Sequence, residues 1–262
     1  MTASEAGPPG IRCIDLSVPL NNFSMDRDAA RVFSWGHREG ARRVAKMYDI
    51  DPDRLPGGLA ASSDELTLNS HSGTHLDAPW HFGPTVAGQP SKTIDEIPLE
   101  WCFSNGVVLD MTHKKPNELI TAEDMEAAVE KIGYRIKPFD IVLIRTDATR
   151  YFEQPDFLLR QPGMGRESTL WLVEQGVKIT GIDAWSYDRP NVEMIKDLKA
   201  GNTAAYWPAH LVGQEKEYCH LEKLANLDRI PKPFGFKVAV FPIRIEGGSG
   251  GWVRAVAIIE DG

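Results

Sequence analysis

The segment His71-Ser72-Gly73-Thr74-His75-Leu76-Asp77-Ala78-Pro79-Trp80-His81-Phe82 puts three imidazoles and a carboxylate in one short stretch. The chain holds seven histidines in all, so it is their clustering that needs an explanation. His and Asp bind borderline divalent metals, and two His with one carboxylate form a ligand set that leaves positions open for catalysis. His71, His75 and Asp77 are the candidate ligands. His81 is the candidate general base, a task for a group that titrates near neutrality. The competing reading is a polar loop of surface histidines. It suits a lone histidine better than three with an aspartate.

The flanking residues bear on geometry. Glu65 to Ser70 alternates polar and mostly apolar positions, which predicts a half-buried strand entering the motif. If the chain stays extended, His71, His75, Asp77 and His81 share one parity. If it curls after Gly73, His71 and His75 fall on one face of a helical turn. Gly73 allows the backbone close to an ion, and Pro79 stiffens the approach to His81.

A second chemically rich region runs from Gly181 to His220. Asp183 follows a predicted short strand, a place where α/β proteins often put functional side chains. Capping a turn is the stronger reading for Asp183, while turn and function are balanced for Asp188. His210, near Trp207 and Pro208, is either a further site residue or a hydrogen-bonded structural histidine. Trp80, Phe82, Trp185 and Tyr206 join His210 as candidate substrate-binding residues. Such aromatics would line a pocket for a flat organic molecule, or else simply pack in the core.

The elements that must position these groups alternate between strand and helix. Strands are predicted over Ile11 to Leu20, Gly106 to Met111, Phe139 to Thr146, Lys178 to Ile182, Phe236 to Ile245 and Trp252 to Ile259. Helical character is predicted over Asp28 to Tyr48, although Gly36 and Gly40 weaken it. Thr121-Ala122-Glu123-Asp124 reads as a capping box opening a helix to Lys131, and Glu167 to Gln175 as a helix stopped by Gly176. Asp51 to Ala61, with its prolines and glycines, is a loop. The run from Glu246 to Gly251 reads as an irregular hairpin loop, because a strand rather than a helix follows it. Strands bunched at both ends point to a mixed-sheet α/β domain.

Bulk properties set limits. A length of 262 residues with 42% hydrophobic and 25% charged residues fits one soluble domain over 1–262, with 1–10 flexible. The net charge of -8 argues against nucleic acid or an anionic membrane as partner. Cys13, Cys102 and Cys219 are far apart and form no CxxC pair, which predicts reduced thiols and a cytoplasmic protein. The first ten residues lack the pattern of a signal peptide, and no apolar run approaches a membrane span.

The motif resembles the HxGTHxDxPxHF signature of the metal-dependent cyclase-like hydrolase family. Ile14-Asp15-Leu16-Ser17 is similar to that family's early DLS strand, Asp140 to Thr146 to its central LLRT strand, and the segment Gly181 to Asp188 to its GID segment. The resemblance covers residues 11 to 260. It implies a swivelling β/β/α domain, a metal on His71, His75 and Asp77, His81 as catalytic acid/base, and a homo-oligomer. The kynurenine formamidase type adds a His and a Glu and holds two zinc ions. Here the His resembles His210, and the Glu position falls at Ala225, with Glu222 close by. The stretch from Trp207 to Pro231 is more similar to the isatin hydrolase type with its one manganese, so the resemblance implies one divalent ion, manganese or zinc.

The function expected is metal-dependent hydrolysis of a small cyclic or aromatic amide, lactam or lactone. The alternatives are an arylformamidase acting on N-formylkynurenine, a metal-dependent cyclase or dehydratase, and a non-enzymatic metal-binding protein.

Overall fold

Ile141–Arg145 is an unbroken run of apolar residues up to its closing arginine, and its side chains alternate between two cores. Ile141 and Leu143 pack on one face with Leu76 and Leu221, while Val142 and Ile144 pack on the other with Val107, Leu109 and Leu172. A strand covered on both faces has no polar side, which explains the continuous run. It is the middle strand of a nine-stranded sheet in the computed structural model, which describes residues 10–21 and 30–260.

The order across the sheet is Ile11–Asp15, Val256–Glu260, Phe234–Ala239, Phe103–Asp110, Ile141–Arg145, Ile179–Ile182, Cys219–Glu222, His75–Asp77 and Gly250–Trp252. The three pairings from Phe103–Asp110 to Cys219–Glu222 are parallel and the remainder antiparallel. Helices Ala122–Ile132 and Arg166–Glu174 cover one face through Met125 and Leu172. The fold is therefore the mixed-sheet α/β architecture expected. Thr121 caps the first of these helices as predicted, its hydroxyl accepting from the Asp124 N–H.

The chain divides into two compact units where the sequence suggests one domain. Met1–Pro19 with Ser70–Gly262 forms the first, and Leu20–Asn69 the second. Of the terminal segment expected to be flexible, residues 1–9 lie outside the described residues.

In the second unit the helix is shorter than expected, His37–Tyr48. Arg31–Trp35 is instead a strand paired antiparallel with Ser63–Thr67, as its aromatic and β-branched residues favour. Residues 28 and 29 of the expected helix lie outside the described residues. Ser63–Thr67 is exposed throughout, so the expected half-buried strand over Glu65 to Ser70 is not found. Gly40, which weakens the helix prediction, has its own reason. A Cβ there would stand 2.1 Å from the Ala61 carbonyl oxygen.

Two further corrections concern the first unit. The opening strand ends at Asp15, whose carboxylate accepts from the Ser17 N–H and turns the chain. The glycine-rich run is also more than a hairpin loop. Val256–Glu260 pairs with Phe234–Ala239, but Gly250–Trp252 leaves them to pair with His75–Asp77 at the far edge of the sheet.

Leu76 and Leu221 are register partners on the fully buried face of their two strands. Leu221→Ala should destabilise the protein by about 2–5 kcal/mol, the usual result of emptying a leucine site in a packed core. Urea unfolding measures it, and a loss below about 1 kcal/mol would mean the face is loosely packed.

Candidate metal centre

The centre is built by strand register. His75 and Asp77 are two residues apart on one strand, as are His220 and Glu222 on the next, so each pair shares a face. The antiparallel pairing then sets His220 opposite Asp77 and Glu222 opposite His75. The intervening Leu76 and Leu221 point into the core. Gly73, at φ +61°, turns the chain between His71 and this strand. The motif thus curls first and extends afterwards, which combines the two geometries open in the sequence. Pro79–Phe82 is a short helix that carries His81 back over the strand ends.

Asp77 is fully buried and is the hub. One of its oxygens lies 2.6 Å from His71 Nδ1 and 3.2 Å from His75 Nε2. The other lies 3.0 Å from His220 Nε2 and 4.0 Å from His210 Nε2. Glu222 stands 3.6 Å from both His75 and His220 and 3.7 Å from His210. Five of the seven histidines meet here.

The ring nitrogens facing away from Asp77 fix the tautomers. His75 Nδ1 lies 2.9 Å from the Gly73 carbonyl oxygen, and His210 Nδ1 bonds the Asp188 carboxylate. His220 Nδ1 lies 3.3 Å from the Tyr218 hydroxyl, which itself donates to the Ala209 carbonyl. With Nδ1–H given to an acceptor, Nε2 of each ring is the nitrogen left to face a metal ion once it carries no proton, the arrangement that orients metal-binding histidines. His75 Nε2, His220 Nε2 and Asp77 Oδ2 are buried without a hydrogen bond. Donor atoms buried in this way are costly unless a cation satisfies them. Asp77, His210, His220 and Glu222 form one group able to hold a metal ion, and His71, Asp77 and His81 form an overlapping one.

The charges agree. Burial by itself would raise the Asp77 carboxyl, but the facing imidazoles His81, His75 and His71 outweigh it and hold it well below the usual range. Burial by itself would raise Glu222 too, but the facing His220, His75 and His210 imidazoles together outweigh it and lower the carboxyl. Burial would lower His220, yet Asp77 and Glu222 push it up to about 9. His81 goes the other way. Burial dominates there and lowers it to about 4, so its ring is neutral at pH 7.

The other predicted residues fall at different distances from this hub. His210, nominated for substrate, stands among the candidate ligands. Trp207 stacks on His210 at 4.7 Å between ring centroids, and Tyr206 stacks on Trp207 at 5.4 Å, one ring further out. Phe82 is buried and stacked on Tyr218 and His220, so it backs the ligands. Trp80 is 45% exposed. Trp185 lies beside the Lys223 ammonium. Asp183 accepts from the Thr146 N–H, the Thr146 hydroxyl and the Asp147 N–H, which is the turn role expected. Asp188 combines both roles weighed for it, accepting from the Ala209 and His210 N–H groups of the turn and bonding His210 Nδ1.

Sequence reasoning missed His220, Ser249 and Gly250. His220 was detectable, since its i, i+2 spacing with Glu222 mirrors that of His75 and Asp77. The Glu position assigned to Ala225 is corrected, because Glu222 is the carboxylate that reaches the centre. Ser249, whose hydroxyl lies 2.9 Å from His71 Nε2, and Gly250 gave no signal. A Cβ on Gly250 would stand 2.7 Å from His71 Cε1, so the imidazole needs glycine there.

Residues 14–189 match the family model described as "Putative cyclase". The chain belongs to the cyclase family. It is similar to an isatin hydrolase of Roseibium aggregatum, 26% identical over 228 residues that span 82% of this chain and 80% of the relative. It is also similar to a kynurenine formamidase of Bacillus cereus, 24% identical over 246 residues that span 93% and 95%. A crystal structure of an isatin hydrolase bound to the product analogue thioisatinate shares the fold. Its TM-score is 0.75 at 20% identity, covering 96% of this chain and 93% of that one.

Within this cyclase-family chain, Asp188→Asn should weaken divalent metal affinity by about 10–100-fold, as loss of a carboxylate behind a ligating histidine does. Chelator competition on the purified protein measures the change. An unchanged affinity would remove His210 from the centre.

Proposed function

We propose that this cyclase-family protein is a metal-dependent hydrolase that cleaves the C–N or C–O bond of a small cyclic or aromatic amide, lactam or lactone, in the manner of an isatin hydrolase. The observation that carries the reading is the ring of buried, unsatisfied donors around Asp77, with the neutral His81 beside it. The named activity of the Roseibium relative supports the substrate class. The reading takes one divalent ion, manganese or zinc, on Asp77, with further donors drawn from His71, His75, His210, His220 and Glu222. It takes a cytoplasmic protein, supported by three free cysteines, and a homo-oligomer, supported by the family resemblance. Among the described residues no helix is long and apolar enough to cross a membrane.

A divalent cation, when bound, acts as a Lewis acid toward the scissile carbonyl and acidifies water. His81 moves the protons. Its neutral imidazole accepts a proton from the attacking water as the oxygen adds to the carbonyl carbon. The same ring returns a proton to the leaving nitrogen or oxygen as that bond breaks. Its ring centroid lies 4.2 Å from that of His71 and 5.6 Å from those of His210 and Trp207, which confine it beside the hub. Trp207 and Tyr206 border the same side and suit a flat substrate.

Glu222 favours a second reading. A His and a Glu beyond the motif are what the formamidase type adds, and His210 and Glu222 stand together here. N-formylkynurenine is therefore the competing substrate. A screen of isatin, unsaturated lactones and N-formylkynurenine with metal-loaded protein separates the two. Turnover of N-formylkynurenine with none of the cyclic compounds would overturn the first. Running the reaction in oxygen-18 water tests hydrolysis itself, because a cyclase or dehydratase leaves the product acid unlabelled.

His81→Ala should keep the metal and lose about 10²–10⁴-fold in turnover, the usual contribution of a general acid–base. Metal analysis beside steady-state kinetics checks this, and full turnover would refute the assignment.

Ion binding should also release protons. His220 sits at about 9 without an ion, so at pH 7 it is charged and must give up its proton to a cation. Apparent affinity should therefore fall as pH falls, with about one proton released per ion. Calorimetry in buffers of different ionisation enthalpy counts the protons.

A further inference from the structure

His81 sits on a helix of a single turn, Pro79–Phe82, and one turn is too short to hold its own shape in water. What that turn rests on therefore decides where the imidazole stands. Its neighbour is the short 3-10 helix His210–Gln214, and the His81 and His210 ring centroids lie 5.6 Å apart. The start of this second helix is well anchored. Asp188 accepts from the Ala209 and His210 N–H groups, and the Tyr218 hydroxyl donates to the Ala209 carbonyl.

The last two residues of the same helix hold the turn that carries His81. Gly213 receives the Phe82 ring, for a Cβ there would stand 2.1 Å from Phe82 Cδ2. Gln214 donates its side-chain amide to the Phe82 carbonyl at 2.7 Å. Carbonyls at the end of a helix have no acceptor role within it, so this one needs an outside donor. The Gln214 backbone carbonyl also accepts from the Ala87 N–H at 2.8 Å, which holds the chain on both sides of Gly83. A Cβ on Gly83 would stand 2.8 Å from Gln214 Nε2, so glycine lets the amide lie across the chain. Gln214 itself is exposed and belongs to neither group of candidate ligands.

We propose that Gln214 is a positioning residue for His81. Its amide closes the one-turn helix and ties it to the element that starts at His210, so one short helix sets the spacing of the two imidazoles. The inference rests on the hydrolase reading above and adds the residue that aligns its base.

Two substitutions test it in the full-length, metal-loaded protein. Gln214→Glu keeps the size and shape but offers no N–H to the Phe82 carbonyl. Gln214→Lys keeps an N–H donor on a flexible stem. Gln214→Glu should lose about tenfold in kcat with KM and metal content unchanged, because small misplacements of a reacting group are costly. Gln214→Lys should retain most of the wild-type kcat. Hydrogen exchange read by mass spectrometry gives a second measurement that needs no turnover. Residues 79–87 should exchange faster in Gln214→Glu, while His75–Asp77 and Cys219–Glu222 keep wild-type protection. Wild-type kcat and exchange in Gln214→Glu would overturn the proposal. So would equal losses in the Glu and Lys variants, which would make the role steric, or loss of metal together with kcat, which would make it general support. If wild type turned over none of the screened substrates, the hydrolase reading would fall, and the exchange measurement alone would still decide whether Gln214 holds the turn.

Discussion

A carboxylate with no access to solvent dominates this structure. Asp77 is buried completely, and an isolated charge in that position would be intolerable. It is tolerated because imidazoles surround it, and their placement depends on several distant parts of the chain. His71 and His75 come from its own segment, His220 from the neighbouring strand, and His210 from the turn Tyr218 helps to anchor. Removing any one partner leaves charge or lone pairs exposed to a low dielectric, and that cost links local contacts to overall stability.

The same strands serve both packing and chemistry. On His75–Asp77 and Cys219–Glu222, odd and even positions divide cleanly between core and centre. Leu76 and Leu221 fasten the pair into the apolar interior, and this fixes the register that brings His220 opposite Asp77. A slip of one residue would exchange leucines for charges on both faces, so the hydrophobic core enforces the geometry of the polar site.

The periphery follows the same rule of narrow tolerance. Gly250 gives the His71 ring its space, and Ser249 engages the nitrogen that Asp77 leaves free. Tyr187 and Phe82 stack on His220 from different sides, at 4.3 Å and 4.9 Å between centroids. Trp207, in a left-handed backbone conformation, lies flat on His210. Strained backbone at both Trp207 and Lys223 marks places where the fold spends stability to hold a side chain.

The sequence by itself determined the candidate residues at the heart of the centre. His71, His75, Asp77 and His81 are close in the chain, so their types and spacing already point to a cation and a base as candidates. It also determined the mixed α/β class, because the buried run Ile141–Arg145 and the capped helix after Thr121 depend on local patterns. Only the tertiary structure decided the rest. His220 and Glu222 lie far along the chain, and their role arises from an antiparallel pairing that no local pattern encodes. Gly250–Trp252 looked like part of a hairpin because neighbouring strands usually pair. The open edge beside His75–Asp77 captured it instead, with the Ala78 N–H donating to the Ser249 carbonyl. Glu65 to Ser70 alternates like a half-buried strand, yet the strand Ser63–Thr67 is exposed, because periodicity records which residues share a face but not what covers that face.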